Sequence, residues 1–147
     1  MPYPGRILAI DYGTRRLGIA VSDPTQLIAQ GVATLTNNAD LFRNLISLVR
    51  EHQPMLIIVG MPYSPDGGKG AKAREVEQFI GDLGKAVDLR IDTWDESYSS
   101  VAAHKVLRDS GMKRKRRREK GRVDEMAARL MLQEYLDHQR DIGVHNS

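Results

Sequence analysis

The chain of 147 residues contains no cysteine, so neither disulfide bonds nor thiolate metal sites can form. Long apolar runs are also missing. The longest aliphatic stretches are far too short to cross a bilayer, and residues 1–6 lack the apolar segment of a signal peptide. Together with 28% charged residues, these absences lead us to expect a cytoplasmic protein without a membrane partner.

Two common catalytic arrangements are absent as well. The sequence has no Ser-His-Asp or Walker pattern, and its histidines show no ligand spacing with the acids: His52, His104, His138 and His145. We interpret each histidine as a surface residue.

A chain of this length can bury about two-thirds of its unfolded surface in one core. We therefore expect a single domain over residues 1–140 and a disordered tail over residues 141–147.

The net charge of +3 conceals a strongly basic segment. Residues 113–122 contain eight basic side chains and one acid, Glu119, so they carry +7 and the rest of the chain about −4. So many like charges indicate a mobile loop, here over residues 112–122, that contacts a polyanion. Nucleic acid is the favoured partner, with a membrane surface or a merely solubilising segment as alternatives. The candidate binding residues are Lys113, Arg114, Lys115, Arg116, Arg117, Arg118 and Lys120.

The first candidate site residue follows the first apolar run. Residues 7–10 and 17–21 are short branched runs that predict two buried strands joined by a tight turn. Gly13 and Thr14 suit that turn, and Asp11 lies where the first strand ends. An aspartate at this position either forms the turn by accepting backbone hydrogen bonds or serves as a metal-binding or catalytic group, and the residues alone leave both readings open.

The remaining periodicities predict alternating strands and helices. In chain order they are a strand at 28–35, a helix that is capped at Asn38 and stops at Gln53-Pro54, a strand at 55–60, a loop at 61–70, a helix at 71–86, a strand at 89–94 and helices at 101–110 and 123–136. This order is typical of an α/β domain with a parallel central strand at 55–60. Ligands of such sheets bind beyond the carboxyl ends of the strands.

Two further acidic positions fall at the ends of these elements. Asp95 and Glu96 follow the strand at 89–94, and Asp124 lies in the first turn of the last helix, beside its apolar stripe. Acids at helix starts commonly interact with the helix dipole, so each of them alone has an ordinary structural explanation. A catalytic role depends on their meeting Asp11 in the folded chain.

Four segments in this order resemble the YqgF/RuvX family over residues 8–136. They are Ile10-Asp11-Tyr-Gly13-Thr14-x-x-Leu-Gly18-Ile-Ala-Val, Ile58-Val-Gly60-Met-Pro62 with Asp66-Gly67, Asp95-Glu96-x-x-Ser99, and Lys120-Gly-x-Val-Asp124-x-x-Ala127-Ala128. The resemblance implies a ribonuclease H-like α/β fold, in which a mixed five-stranded sheet carries helices on both faces in three layers. Members are described as Holliday-junction resolvases or as nucleases that process the end of pre-16S rRNA.

The resemblance also implies a site. Asp11, Glu96 and Asp124 match the family's three motif carboxylates, so they are the expected catalytic residues and ligands of two Mg²⁺ or Mn²⁺ ions. Hard cations prefer such oxygen ligands, and paired divalent ions suit phosphodiester hydrolysis. Gly13 and Thr14 are added as candidate substrate-binding residues.

The function expected from the resemblance is metal-dependent endonucleolytic cleavage of structured nucleic acid, most of all at the pre-16S rRNA end. The alternatives are resolution of branched DNA and binding of nucleic acid without catalysis. The last is prompted by Ser97 and Tyr98, which stand where the family usually has an arginine and an apolar residue. A nucleotide phosphotransferase is disfavoured because that class needs two such domains. The oligomeric state, monomer or homodimer, is left open.

Overall fold

The computed structural model describes residues 5–63, 68–96 and 120–146. Within these residues the chain forms five strands and three helices. The strands are β1 (Ile7–Asp11), β2 (Arg16–Ser22), β3 (Ala29–Thr36), β4 (Leu56–Met61) and β5 (Arg90–Asp95). The helices are α1 (Leu41–His52), α2 (Ala71–Ala86) and α3 (Lys120–Asn146).

The five strands form one mixed sheet in the order β3-β2-β1-β4-β5. The first three strands are antiparallel neighbours in chain order, whereas β4 pairs with β1 and β5 pairs with β4 in parallel. All six residues of β4 are buried, as its continuous apolar run and central position require.

Each face of the sheet has its own hydrophobic core. On one face, α1 and α2 pack through Leu45 and Phe79 against strand residues that include Leu8 and Val59. On the other face, Met131 and other apolar residues of α3 pack against the alternate side chains of the strands. Helices therefore cover both faces, and the expected three-layer α/β fold is confirmed.

The structure differs from the sequence expectations mainly at α3. This helix begins at Lys120, inside the segment expected to be a basic loop over 112–122, and it continues to Asn146 through most of the expected tail at 141–147. Just before the expected tail, Asp137 and Arg140 form an ion pair across one turn of this helix. The helix expected at 101–110 lies outside the described residues.

In the part of the chain that the structure describes, none of the helices combines the length and the apolar character needed to cross a membrane.

The start of α3 approaches the sheet unusually closely. A Cβ atom added to Gly18 of β2 would lie 2.0 Å from the carbonyl oxygen of Asp124, and one added to Gly31 of β3 would lie 3.3 Å from the carbonyl oxygen of Glu125. Only a residue without a side chain leaves room for the helix backbone at Gly18. This contact fixes where the first turns of α3 lie on the sheet.

We expect Gly18→Ala to lower the free energy of unfolding by about 1–3 kcal/mol, because the new methyl group overlaps the backbone of α3. Gly84→Ala is the matched control, since a Cβ atom at this position of α2 meets no atom within 4 Å. Replacing a helical glycine by alanine there should stabilise the protein by up to about 1 kcal/mol. Urea denaturation of both variants measures the two changes, and a Gly18→Ala protein as stable as wild type would contradict the close approach.

Candidate active site

The candidate site lies at the edge of the sheet where β1, β4 and β5 end and β2 begins. Because these three strands are parallel, their C-terminal residues meet there. Asp11, the last residue of β1, pairs with Gly18 of β2. On the other side Asp11 lies next to Gly60 of β4, which is one residue beyond the last β1–β4 pair. Gly60 in turn pairs with Trp94 of β5. Asp11 thus lies between two glycines in one row of the sheet.

This row faces α3. Ala9 and Ile58 lie two residues before Asp11 and Gly60, and both belong to the core that α3 covers. Side chains two residues apart on a strand share a face, and neighbouring strands are about 4.8 Å apart. The missing side chains of the two glycines therefore leave space on both sides of the Asp11 carboxylate.

Glu96 occupies the space above one of these glycines. It follows β5 directly, and a Cβ atom on Gly60 would lie 2.2 Å from its Oε1 atom. The preceding acid, Asp95, pairs with Met61, whose side chain is part of the core on the opposite face. Of the two adjacent acids, Glu96 is therefore the one beside Asp11.

Asp124 occupies the other side. Its backbone passes over Gly18, the strand partner of Asp11. Its Oδ2 atom accepts a hydrogen bond of 2.8 Å from Nε of Arg16, which begins β2 two residues before Gly18 and so shares its face. The carboxylate of Asp124 therefore extends along the same sheet edge.

All three acids are buried: the exposed fractions are 2% for Asp11, 3% for Glu96 and 4% for Asp124. Removing carboxylates from water is costly unless they are paired or bind a cation, and like charges at one site repel each other. Arg16 supplies one compensating positive charge through its ion pair with Asp124. The arrangement is a buried acidic site assembled from β1, the end of β5 and α3.

The turn after Asp11 is held from two sides. Asn37 donates through Nδ2 to the Tyr12 hydroxyl and to the Gly13 carbonyl, at 3.1 and 3.2 Å. From α2, Glu75 accepts a hydrogen bond of 2.9 Å from the Thr14 hydroxyl, and Lys72 donates to the same hydroxyl at 2.8 Å. These contacts fix the backbone that positions Asp11.

The electrostatics of this turn follow from the same contacts. Burial opposes ionisation of Glu75, but the hydrogen bond from Thr14 and the charge of Lys72 outweigh it and hold the pKa of Glu75 below its usual range. Burial raises the pKa of Tyr12, against the hydrogen bond from Asn37 and with a smaller contribution from Glu75. The tyrosine remains a neutral packing group against Phe79 at neutral pH.

The other predicted site residues divide into two groups. Gly13 and Thr14 lie in the turn beside Asp11, and Thr14 is exposed. Lys120 is the first residue of α3. Residues 113–118 and the departures Ser97 and Tyr98 lie outside the described residues.

Three further residues contribute to the site and were not predicted from the sequence. Gly18 and Gly60 provide the space beside Asp11, and Arg16 pairs with Asp124. The available signal was the occurrence of glycine inside two otherwise apolar strands, which often marks a close approach of backbone or ligand. The Arg16 contact joins residues 108 positions apart and leaves no local pattern.

The donor set of the site fits a hard divalent cation, because Mg²⁺ and Mn²⁺ prefer carboxylate oxygens. The three acids are buried at this edge of the sheet, and one oxygen of Asp124 accepts a hydrogen bond from Arg16. Among the described residues, no group of three or more His, Asp or Glu side chains is already gathered closely enough to hold an ion. The residue types thus fit a divalent cation, but their side chains are not arranged as a complete coordination sphere.

The fold is similar to that of RuvC and of a viral resolvase. A solved structure titled "T. thermophilus RuvC in complex with Holliday junction substrate" superimposes with a TM-score of 0.59 over 92% of this chain and 96% of that chain, at 13% identity. The fowlpox virus Holliday junction resolvase gives a TM-score of 0.51 over 90% and 99% of the two chains, also at 13% identity. At this identity the likeness concerns the fold alone.

The sequence comparisons are more specific. Residues 5–138 match the family described as "RuvX: Holliday junction resolvase". A relative from Chlorobium luteolum, named "Putative pre-16S rRNA nuclease", is 42% identical over 137 residues, covering 92% of this chain and 96% of its own. A relative of the same name from Roseiflexus sp. is 37% identical over 139 residues, covering 93% and 97%. The chain belongs to the RuvX family, which confirms the resemblance found in the sequence.

Proposed function

We propose that this protein is a nuclease that hydrolyses phosphodiester bonds in structured nucleic acid and that its substrate is the end of pre-16S rRNA. Family membership and the names of the relatives support this activity. The observation that carries it is the placement of Asp11 between two glycines, with Glu96 above one and the backbone of Asp124 above the other. Two buried acids at the ends of parallel strands and a third on α3 above the same strands suit a site for phosphodiester cleavage better than a structural role.

Asp11, Glu96 and Asp124 would hold the Mg²⁺ or Mn²⁺ ions of such a nuclease, with Asp11 as the central ligand between the other two. When bound, divalent ions supply neutralisation of the charge on the phosphate oxygens and lower the pKa of a coordinated water. The protein contributes the fixed positions of the acids. The contacts of Asn37 and Glu75 with the following turn hold Asp11 at the strand end.

The substrate phosphates would bind beside the acids. Thr14 and the preceding Gly13 lie in the turn after Asp11, and Lys72 places its Nζ atom 2.8 Å from the Thr14 hydroxyl with 43% of its side chain exposed. The Thr14 hydroxyl donates its one hydrogen to Glu75, whereas the Lys72 ammonium has three donor hydrogens and can also donate to a phosphate oxygen.

The basic residues 113–118 and Lys120 would add contacts to the sugar–phosphate backbone. In the chain, the segment that contains residues 113–118 comes directly after Glu96 and directly before α3, whose fifth residue is Asp124. Such contacts are electrostatic, and they position the substrate without reading its sequence.

Resolution of Holliday junctions is the second candidate function, favoured by the family description and by the likeness to RuvC. A resolvase cuts two strands symmetrically and is expected to act as a homodimer, whereas trimming of an rRNA precursor needs only a monomer. Nucleic-acid binding without catalysis is the third possibility.

The activity test is a cleavage panel of pre-16S rRNA end fragments, single strands, duplexes and four-way DNA junctions in Mg²⁺ and in Mn²⁺. We expect cleavage of the rRNA precursor, and we expect Asp124→Asn to lower the rate on the order of 100-fold or more, since even second-sphere changes at metal sites cost 10–100-fold. Asp137→Asn on the same helix is the matched control and should leave the rate near that of wild type.

Each outcome of this panel distinguishes the candidates. Cleavage of four-way junctions in preference to the rRNA fragments would assign the resolvase activity instead. Binding without cleavage of any substrate would leave only the non-catalytic function, and full activity of Asp124→Asn would reject the site.

The basic segment is tested separately by the triple substitution Arg116→Ala, Arg117→Ala, Arg118→Ala. If the three side chains contact phosphates, the slope of log affinity against log salt should decrease in magnitude by about 2–3. A matched triple removes the same charge from exposed positions near the opposite sheet edge: Arg50, Lys85 and Arg90. Fluorescence anisotropy with a labelled rRNA fragment measures both slopes, and equal slopes in the two triples would contradict a phosphate-binding role for the basic segment.

A further inference from the structure

The ion pair between Arg16 and Asp124 is an unusual feature of a site that is expected to bind cations. Nε of Arg16 lies 2.8 Å from Oδ2 of Asp124, and the carboxylate side chain is 5% exposed while the arginine side chain is 33% exposed. The protein therefore supplies a cation of its own to one of the three site acids.

The two cations compete for the same carboxylate. The guanidinium occupies lone pairs of Oδ2 that a divalent ion would use, and a charge-assisted hydrogen bond of this length is among the stronger ones in proteins. A divalent ion at Asp124 would also be repelled by the positive charge of Arg16. This repulsion is strong because the two charges would be close together and the carboxylate between them is buried. The Arg16–Asp124 pair and coordination of an ion by Asp124 are thus opposed.

The chain has the means to separate the two groups. Arg16 is the first residue of β2, adjoining the turn after Asp11, and a third of its side chain is already in contact with solvent. Its flexible stem can move the guanidinium towards water or towards a substrate phosphate without disturbing the sheet. Asp124 cannot leave in the same way, because its backbone is pressed against Gly18.

We propose that Arg16 is the resident counter-ion of Asp124 and is displaced from it when a divalent cation binds, so that the arginine sets the affinity of the site for that cation. This inference rests on the proposed function, since it takes the three acids to be the ion ligands. Arg16 is a positioning residue in this scheme. It keeps the buried carboxylate of Asp124 in place before the ion arrives.

The test measures Mn²⁺ binding to the full chain in the absence of nucleic acid by isothermal titration calorimetry. Arg16→Gln keeps the length and polarity of the side chain but removes its charge, so we expect Mn²⁺ to bind about tenfold more tightly. Arg15→Gln is the matched control, because it removes the same charge from the neighbouring exposed residue. It should change the affinity less than about twofold, since exposed charges are screened by solvent and salt.

Two additional variants make the result specific. On an Asp124→Asn background, Arg16→Gln should no longer tighten binding, because the partner carboxylate is gone. Arg16→Lys retains a cation, and its affinity should fall between those of wild type and Arg16→Gln. If Arg16→Gln does not fold in the absence of ions, the affinity of Arg16→Lys for Mn²⁺ tests the same prediction. Thermal denaturation provides a second readout, in which saturating Mn²⁺ should raise the Tm of Arg16→Gln more than that of wild type.

The outcomes separate this inference from the function on which it rests. If wild type binds Mn²⁺, Asp124→Asn weakens that binding and Arg16→Gln leaves it unchanged or weaker, the counter-ion role is wrong and the metal site stands. If neither wild type nor Arg16→Gln binds Mn²⁺, the metal site falls and the inference falls with it.

Discussion

The structure of the site depends on the absence of side chains on both sides of Asp11. Gly18 and Gly60 flank this acid in one row of the sheet, and they alone allow the backbone of Asp124 and the carboxylate of Glu96 to come down onto the strands. A methyl group at either position would overlap those atoms. The same glycines determine how closely α3 packs, so the stability of the α3 face and the geometry of the site are set by one steric constraint.

Most of the architecture could be predicted from local patterns. The branched run at 55–60 indicated the buried central strand, and the apolar stripe of Met131 and its neighbours indicated a helix packed on one face. The register could not be predicted in this way, because pairing Asp11 with Gly18 depends on the length and shape of the turn between them. The Arg16–Asp124 contact could not be predicted either, because it joins the sheet to a helix more than one hundred residues later. The extent of α3 was underestimated because a polar, charged ending was interpreted as a tail, whereas the structure continues the helix to Asn146.

The comparisons and the geometry make complementary contributions. The likeness to RuvC at 13% identity establishes the fold, and the match over residues 5–138 establishes the family. Neither explains why the acids occupy their positions. That explanation comes from the parallel strands, whose ends meet at one edge, and from the two contacts that hold the turn after Asp11. The opposition between Arg16 and a bound cation at Asp124 adds a reason why the site need not be fully assembled before the ion binds.

The account depends on the three acids acting together as one cation site, and anomalous diffraction from crystals grown in Mn²⁺ tests this most directly. The account predicts an anomalous peak bordered by carboxylate oxygens of Asp11 and of at least one of Glu96 and Asp124, with the guanidinium of Arg16 moved away from Asp124 wherever that residue is a ligand. Saturating Mn²⁺ that leaves these carboxylates without an anomalous peak, and Arg16 still paired with Asp124, would contradict it.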